Sequence, residues 1–214
     1  MIDEIRRDLK PYKATLVAVS KTKPNELIMT LYNQGQRIFG ENRVQELTSK
    51  YEDLPKDIEW HLVGSLQKNK VKYIAPFISM IHSVDSIELA QVIDTQAQKN
   101  DRNIDVLLQV KIAQEENKAG LDKENCMSIL ERCRDLDHIT VRGLMGMASF
   151  TEDIQQVRAE FDSLKTLFDR CQCDVMSDSN YFNQISMGMS GDYKIALEAG
   201  STMVRIGSLL FGAR

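Results

Sequence analysis

Two hydrophobic periods alternate along this chain. Leu16-Val17-Ala18-Val19 is a run of small and β-branched residues leading into Ser20-Lys21-Thr22-Lys23-Pro24. Such a run reads as a strand buried on both faces. Pro24 stops the strand and suits the first turn of a helix. Residues 25–34 then place Leu27, Ile28 and Leu31 on one helical face, with Gly35 as the stop. The pairing recurs. Further strands are predicted at 38–41, 59–64, 78–84, 104–111, 139–147, near 183–187 and at 202–206. Helices are predicted at 2–10, 43–53, 67–75, from Asp85 or Ser86 to about 98, at 122–134, from Thr151 to about 171, and at 191–199. Strands that alternate with helices pair in parallel through right-handed crossovers. Eight such units predict a (β/α)8 TIM barrel, with a doubly wound sheet as the alternative. No proline- or glycine-rich linker divides residues 1–214, so one domain is expected.

Composition removes some function classes. The chain is 43% hydrophobic and 27% charged, with a net charge of −4, so neither nucleic acid nor an anionic membrane is an expected partner. Met1 to Lys10 mixes charges of both signs and carries no apolar core of a signal peptide. No apolar run approaches the ~18 residues of a membrane span. Cys126, Cys133, Cys171 and Cys173 show no zinc-ligand spacing with histidines. Reduced thiols in a cytoplasmic protein are the simplest reading. Glu115-Glu116 reads as solvated loop.

The candidate chemistry collects at strand ends. Lys21 falls at the carboxyl end of the first strand, where parallel α/β proteins bind ligands. A partly desolvated lysine there can attack a carbonyl as an amine. Strand parity does not separate it from Lys23. On the eighth strand Arg205 and Met203 share the inward face, while Val204 and Ile206 pack under the helices. A buried arginine needs a partner. Gly207-Ser208 then opens a turn, and the loop after strand seven, Ser186 to Asp192, is small and hydroxyl-rich and leads into a helix. Barrels often bind phosphate in these two loops. A Schiff-base lysine, an arginine opposite it and a phosphate cup describe a site for pyridoxal 5'-phosphate, with Arg205 facing the pyridine nitrogen. An arginine keeps its proton, which makes the ring a weaker electron sink than an aspartate partner would. Asn42 after strand two, Ser186, and Met145 on strand six are further candidates beside the ligand. His61 reads as structural, and His82 as lining the barrel mouth.

These residues stand in segments that resemble the pyridoxal phosphate homeostasis proteins, single-domain relatives of the alanine racemase N-terminal barrel. The segments are Ala18 to Pro24, Phe39-Gly40-Glu41-Asn42, Trp60 to Lys70, His82-Ser83-Val84-Asp85-Ser86, Gly143-Leu144-Met145, Ser186 to Ser190 and Ser201 to Gly212. The resemblance implies a barrel with the cofactor on Lys21, phosphate contacts from Ser190, Gly207 and Ser208, and a pyridine contact from Arg205. Lys111 stands where the family commonly has asparagine. The expected function is binding and buffering of the cofactor, without efficient catalysis, and its delivery to apo forms of pyridoxal enzymes. A monomer is expected. An amino-acid racemase is the alternative. Two-base racemization needs a second base on the opposite cofactor face, and in alanine racemases an added β-domain supplies that base. No such domain follows the last strand in this sequence. A class I aldolase would not need Arg205 near the lysine.

Overall fold

The computed structural model describes residues 1–113 and 120–212, so Glu115-Glu116 lies outside the described residues. Eight parallel strands close into a barrel in chain order, which excludes the doubly wound sheet. α1 (Ile2–Leu9) precedes β1 (Thr15–Val19), which is followed by α2 (Asn25–Asn33), β2 (Ile38–Glu41) and α3 (Val44–Asp53). Then come β3 (Glu59–Leu62), α4 (Val71–Ile74), β4 (Met80–Val84), α5 (Ile87–Lys99), β5 (Ile104–Gln109) and α6 (Lys123–Cys133). The chain continues through β6 (Ile139–Met145), α7 (Ile154–Asp174), β7 (Gln184–Ser186), α8 (Tyr193–Glu198), β8 (Met203–Ile206) and α9 (Ser208–Phe211).

Most predicted boundaries agree within a few residues, and the departures are local. The segment expected as a helix over 67–75 divides into a 3₁₀ turn, Lys68–Lys70, and the short α4. The α7 helix starts three residues after Thr151, because Asp153 caps it by accepting from the Gln155 and Gln156 backbone N–H groups. Ser86 caps α5 as expected, accepting from Leu89 N. Gly207-Ser208 opens a one-turn helix, α9.

Side-chain alternation sorts the strands into two layers. Outward residues such as Ala18, Phe39, Trp60, Ile81, Leu108, Val204 and Ile206 pack beneath the helices in one large core. Inward residues Val17, Met80, Leu107, Met145 and Met203 fill the barrel as a smaller apolar cluster. The barrel is therefore a packed core rather than a pore, with clefts at both ends. One of about 790 Å³ lies beside the starts of β1, β2 and β3, lined by Arg6, Lys13, Gln36 and Glu59 among others. The other lies at the carboxyl end, where barrels of this kind carry their sites. β7 is short, and among strand residues it registers with β8 only through Ser186 and Met203. Among the described residues no helix is long and apolar enough to cross a membrane.

Candidate functional site

A cavity of about 390 Å³ opens at the carboxyl end of the strands. Lys21, Asn42, Ser190, Arg205, Gly207 and Ser208 all line it. They come from the ends of β1, β2, β7 and β8, more than 180 residues apart at the extremes, and barrel closure brings them together. Two other candidates lie deeper. Met145 is fully buried in the apolar interior, and Ser186 is fully buried with its hydroxyl bonded to Arg205 and His82. Lys111 lies outside the cavity wall; its backbone N–H donates to Leu121 O.

Lys21 sits in a tight turn. The Lys23 N–H donates to Ser20 O at 3.0 Å, and Thr22 between them has φ 63°. Positive φ is unfavourable for a β-branched residue, so something must hold it. Glu46 on α3 accepts from Thr22 N at 2.6 Å. Lys50, one turn further along α3, donates to Ser20 O at 2.8 Å, to Glu41 Oε1 at 2.7 Å and to Glu46 Oε1 at 2.7 Å. Ser20 Oγ also donates to Glu41 Oε1, at 2.6 Å. The Glu41 side chain is 0% exposed and that of Lys50 is 7% exposed. Burial pushes the Glu41 carboxyl above its usual range, while Lys50 and Ser20 pull it back. An ionic bracket behind the strand thus fixes the turn that presents Lys21. Lys23 lines the same cavity, with its ammonium donating to Phe211 O and Gly212 O at the rim, each at 3.1 Å.

Arg205 is 4% exposed. Its Nη1 donates to Ser186 O at 2.7 Å and to Ser186 Oγ at 2.6 Å, and its Nη2 donates to Gly146 O at 3.0 Å. These bonds tie β8 to β7 and to the end of β6. Burial pulls the guanidinium down to about 10, opposed by Asp192. It remains a cation at neutral pH, aimed at the cavity it lines. The loop before it is shaped by Gly188, whose φ is +93° and whose added Cβ would stand 2.6 Å from Ala196 Cβ. Only glycine suits both conditions. The two loops then meet: Gly207 N donates to Ser190 Oγ at 3.3 Å.

The histidines form one buried line with this arginine. His82 Nδ1 lies 3.0 Å from Ser186 Oγ, and His82 Nε2 lies 3.0 Å from His61 Nδ1. His82 does not line the mouth as the sequence suggested; it is fully buried inside the barrel. Burial holds His61 down to about 3 and His82 well below its ordinary 6.5, the latter helped by the nearby Arg205 charge. Folded-state values below the unfolded one mean that acid favours the unfolded chain. Stability from these neutral histidines is complete above about pH 6.5 and is lost as the pH falls, towards 3 for His61 and in the same direction for His82. Between pH 6.5 and 5, each histidine is expected to cost up to tenfold in folding equilibrium constant per pH unit. Urea denaturation across that range checks this. A His61→Phe, His82→Phe double variant with the same slope as the parent would refute it.

The residues that sequence reasoning missed are Glu41, Glu46 and Lys50. A signal existed in part: Glu46 and Lys50 are four apart on one helix, a common pairing. Their joint contact with the Lys21 turn depends on the tertiary fold.

A family model for the alanine racemase N-terminal domain matches residues 2–214. The pyridoxal phosphate homeostasis protein of Aquifex aeolicus is 43% identical over 202 residues, spanning 94% of this chain and 87% of that protein. The human protein of the same name is 37% identical, spanning 97% of this chain and 79% of its own length. PipY of Synechococcus elongatus, solved with pyridoxal phosphate bound, is 35% identical with a TM-score of 0.89, covering 99% of this chain and 98% of that one. Alanine racemase of Clostridium difficile, at 15% identity and a TM-score of 0.73, shares the fold, with 56% of that chain covered. By these matches the chain belongs to the alanine racemase N-terminal domain family and, within it, to the pyridoxal phosphate homeostasis proteins.

Proposed function

We propose that this protein binds pyridoxal 5'-phosphate in the cavity at the barrel's carboxyl end and serves as a reversible intracellular reservoir for it. The observation that carries the reading is the convergence of Lys21, Arg205 and the Ser190 and Gly207-Ser208 loops on one cavity. The donor set fits the group: an amine for the aldehyde, a cation for the ring nitrogen, and hydroxyls with backbone N–H groups for the phosphate. When bound, the cofactor supplies an aldehyde that links reversibly to an amine and a ring that withdraws electrons. Lys21 is the amine, because the bracket from α3 presents it while Lys23 holds the carbonyls of Phe211 and Gly212. Arg205 donates to the ring nitrogen and leaves it unprotonated. Asn42 borders the ring, and Met145 and Ser186 support the floor beneath it. Gly64 keeps Asn42 close, since an added Cβ would stand 2.4 Å from Asn42 O.

The same geometry argues against efficient catalysis. Two-base racemization needs a second base on the cofactor face opposite Lys21, and no tyrosine or histidine that could serve is among the described residues lining the cavity. Asp192, the carboxylate in the wall, accepts from Met189 N at 2.5 Å and shapes the loop. In this reading the protein is a single-domain cytoplasmic monomer that hands the cofactor to apo enzymes. Mixing the loaded protein with apo forms of pyridoxal enzymes should restore their activity. Deuterium wash-in at the α-carbon of alanine should stay far below about 1 s⁻¹, the low end of ordinary turnover. Faster exchange with inversion would replace the reservoir reading with the racemase one.

The phosphate loops give a separate expectation. Ser208→Ala removes a hydrogen bond to a charged group, worth about 1.5–3 kcal/mol, so affinity should fall roughly ten- to hundredfold. Pyridoxal lacking the phosphate should bind more weakly still. Equal titration curves for the ester and the free aldehyde would count against these loops as the phosphate site.

A further inference from the structure

The buried line from β3 to β8 has a fixed polarity. Arginine can only donate. Ser186 Oγ must therefore accept in its 2.6 Å contact with Arg205 Nη1. Its hydroxyl hydrogen is then available to His82 Nδ1, 3.0 Å away. That hydrogen has no other acceptor bonded to it among the described residues, so His82 Nδ1 accepts it and a neutral His82 carries its proton on Nε2. That proton is donated to His61 Nδ1 at 3.0 Å, which places the His61 proton on Nε2 as well. Exposure along the line is 3% for His61, 0% for His82 and Ser186, and 4% for Arg205. In so dry a place, a hydroxyl without an acceptor turns back on its neighbours.

We infer that His82, backed by His61, is a positioning residue for Arg205 at the cofactor ring. By taking the Ser186 hydroxyl hydrogen, His82 keeps a Ser186 lone pair turned towards Nη1. The guanidinium is thereby held at one angle, with its remaining N–H groups facing the cavity. Without His82 the hydroxyl rotates, the Nη1 contact loosens, and the arginine meets the ring in more than one orientation. The charged groups facing His82 are Arg205, through Ser186, and among the described residues no carboxylate makes an ion pair with it. The inference rests on the reading of Arg205 as the partner of the ring nitrogen.

Two variants separate positioning from packing. His82→Asn places its Oδ1 near the position of Nδ1 and still accepts from Ser186. His82→Leu fills space and accepts nothing. Affinity for pyridoxal phosphate should fall roughly tenfold in His82→Leu, about the value of one hydrogen bond to a charged group. The absorbance maximum of the bound cofactor should move with it. His82→Asn should stay within about twofold of the parent, with the maximum in place. Equal losses in both variants that track their melting temperatures would overturn the inference. Nitrogen-15 spectra of the cofactor-free parent give a second reading, independent of whether His82→Leu folds. Both buried imidazoles should be neutral with the proton on Nε2 from pH 8 to 5, and a proton on His82 Nδ1 would overturn the inference. A parent protein that shows these tautomers but binds no pyridoxal phosphate would instead defeat the reading of the cavity.

Discussion

Replacing Lys21 with alanine is expected to abolish covalent retention of pyridoxal phosphate while the barrel stays folded. The covalent link requires an amine, and alanine offers none. Borohydride reduction of the loaded parent, followed by peptide mapping, should place the pyridoxyl mass on Lys21. The Lys21→Ala protein should carry no such mass. Lys23 should not substitute for it, because its ammonium sits 3.1 Å from both Phe211 O and Gly212 O. Lys21 lies half-buried at the rim rather than in either apolar core, so its loss should cost no more than about 1 kcal/mol of stability. A label on Lys23 in the parent, or an undiminished label in Lys21→Ala, would remove Lys21 from the site.

The largest change in stability should come from Lys50. Lys50→Met strips the buried Glu41 carboxylate of its cation, and orphaning one member of a buried pair costs about 3–5 kcal/mol. Glu41 already has one oxygen, Oε2, without a partner among the described residues. The sign of the pH dependence follows from its raised folded-state value. The unfolded carboxyl ionises near its ordinary 4.5, whereas the folded one resists ionising, so the penalty grows as the pH rises above 4.5. The deficit of Lys50→Met against the parent should therefore be greatest at neutral pH and narrow towards pH 4.5. Adding Glu41→Gln, which leaves a neutral acceptor for Ser20, should recover a large part of it. Urea denaturation at pH 7.5 and 5 measures both effects. A pH-independent deficit would mean that the methionine fails through packing alone.

Where each element ends was largely legible, because parallel strands bury both faces and so write continuous apolar runs. Leu16 to Val19 and Val106 to Leu108 are such runs, and each lies in a strand. The inward side of β8 was legible too, since parity alone puts Arg205 with Met203. Depth was not. Parity says that His82 faces inward but not that Ser186, 104 residues away, closes over it. The same gap hid the setting of Lys50, which reads as an ordinary solvated helix lysine until the fold sets α3 against the Ser20 carbonyl. Thr22 gave no warning of its positive φ, because glycine and asparagine are the residues that usually announce that geometry. Local chemistry is written in the order of the residues, whereas the supports of the site come from contacts between distant strands.

The thin contact between β7 and β8 bears on how the protein breathes. One registered pair and three backbone hydrogen bonds, from Thr202 N to Ile185 O, Met187 N to Met203 O and Arg205 N to Gly188 O, cross this seam, so local opening there has only a short ladder to break. The cavity straddles that seam, with Ser190 on one side and Gly207-Ser208 on the other. A ligand gripping both loops acts as a clasp across it, and binding free energy becomes protection of the seam. Amide hydrogens of Met187 and Arg205, which bond across it to Met203 O and Gly188 O, would then exchange more slowly in the loaded protein than in the empty one. Release would have the same coupling in reverse. Fluctuation of the seam would set how readily the cargo leaves, so a reservoir could be emptied by fraying one joint while the remaining strands stay closed.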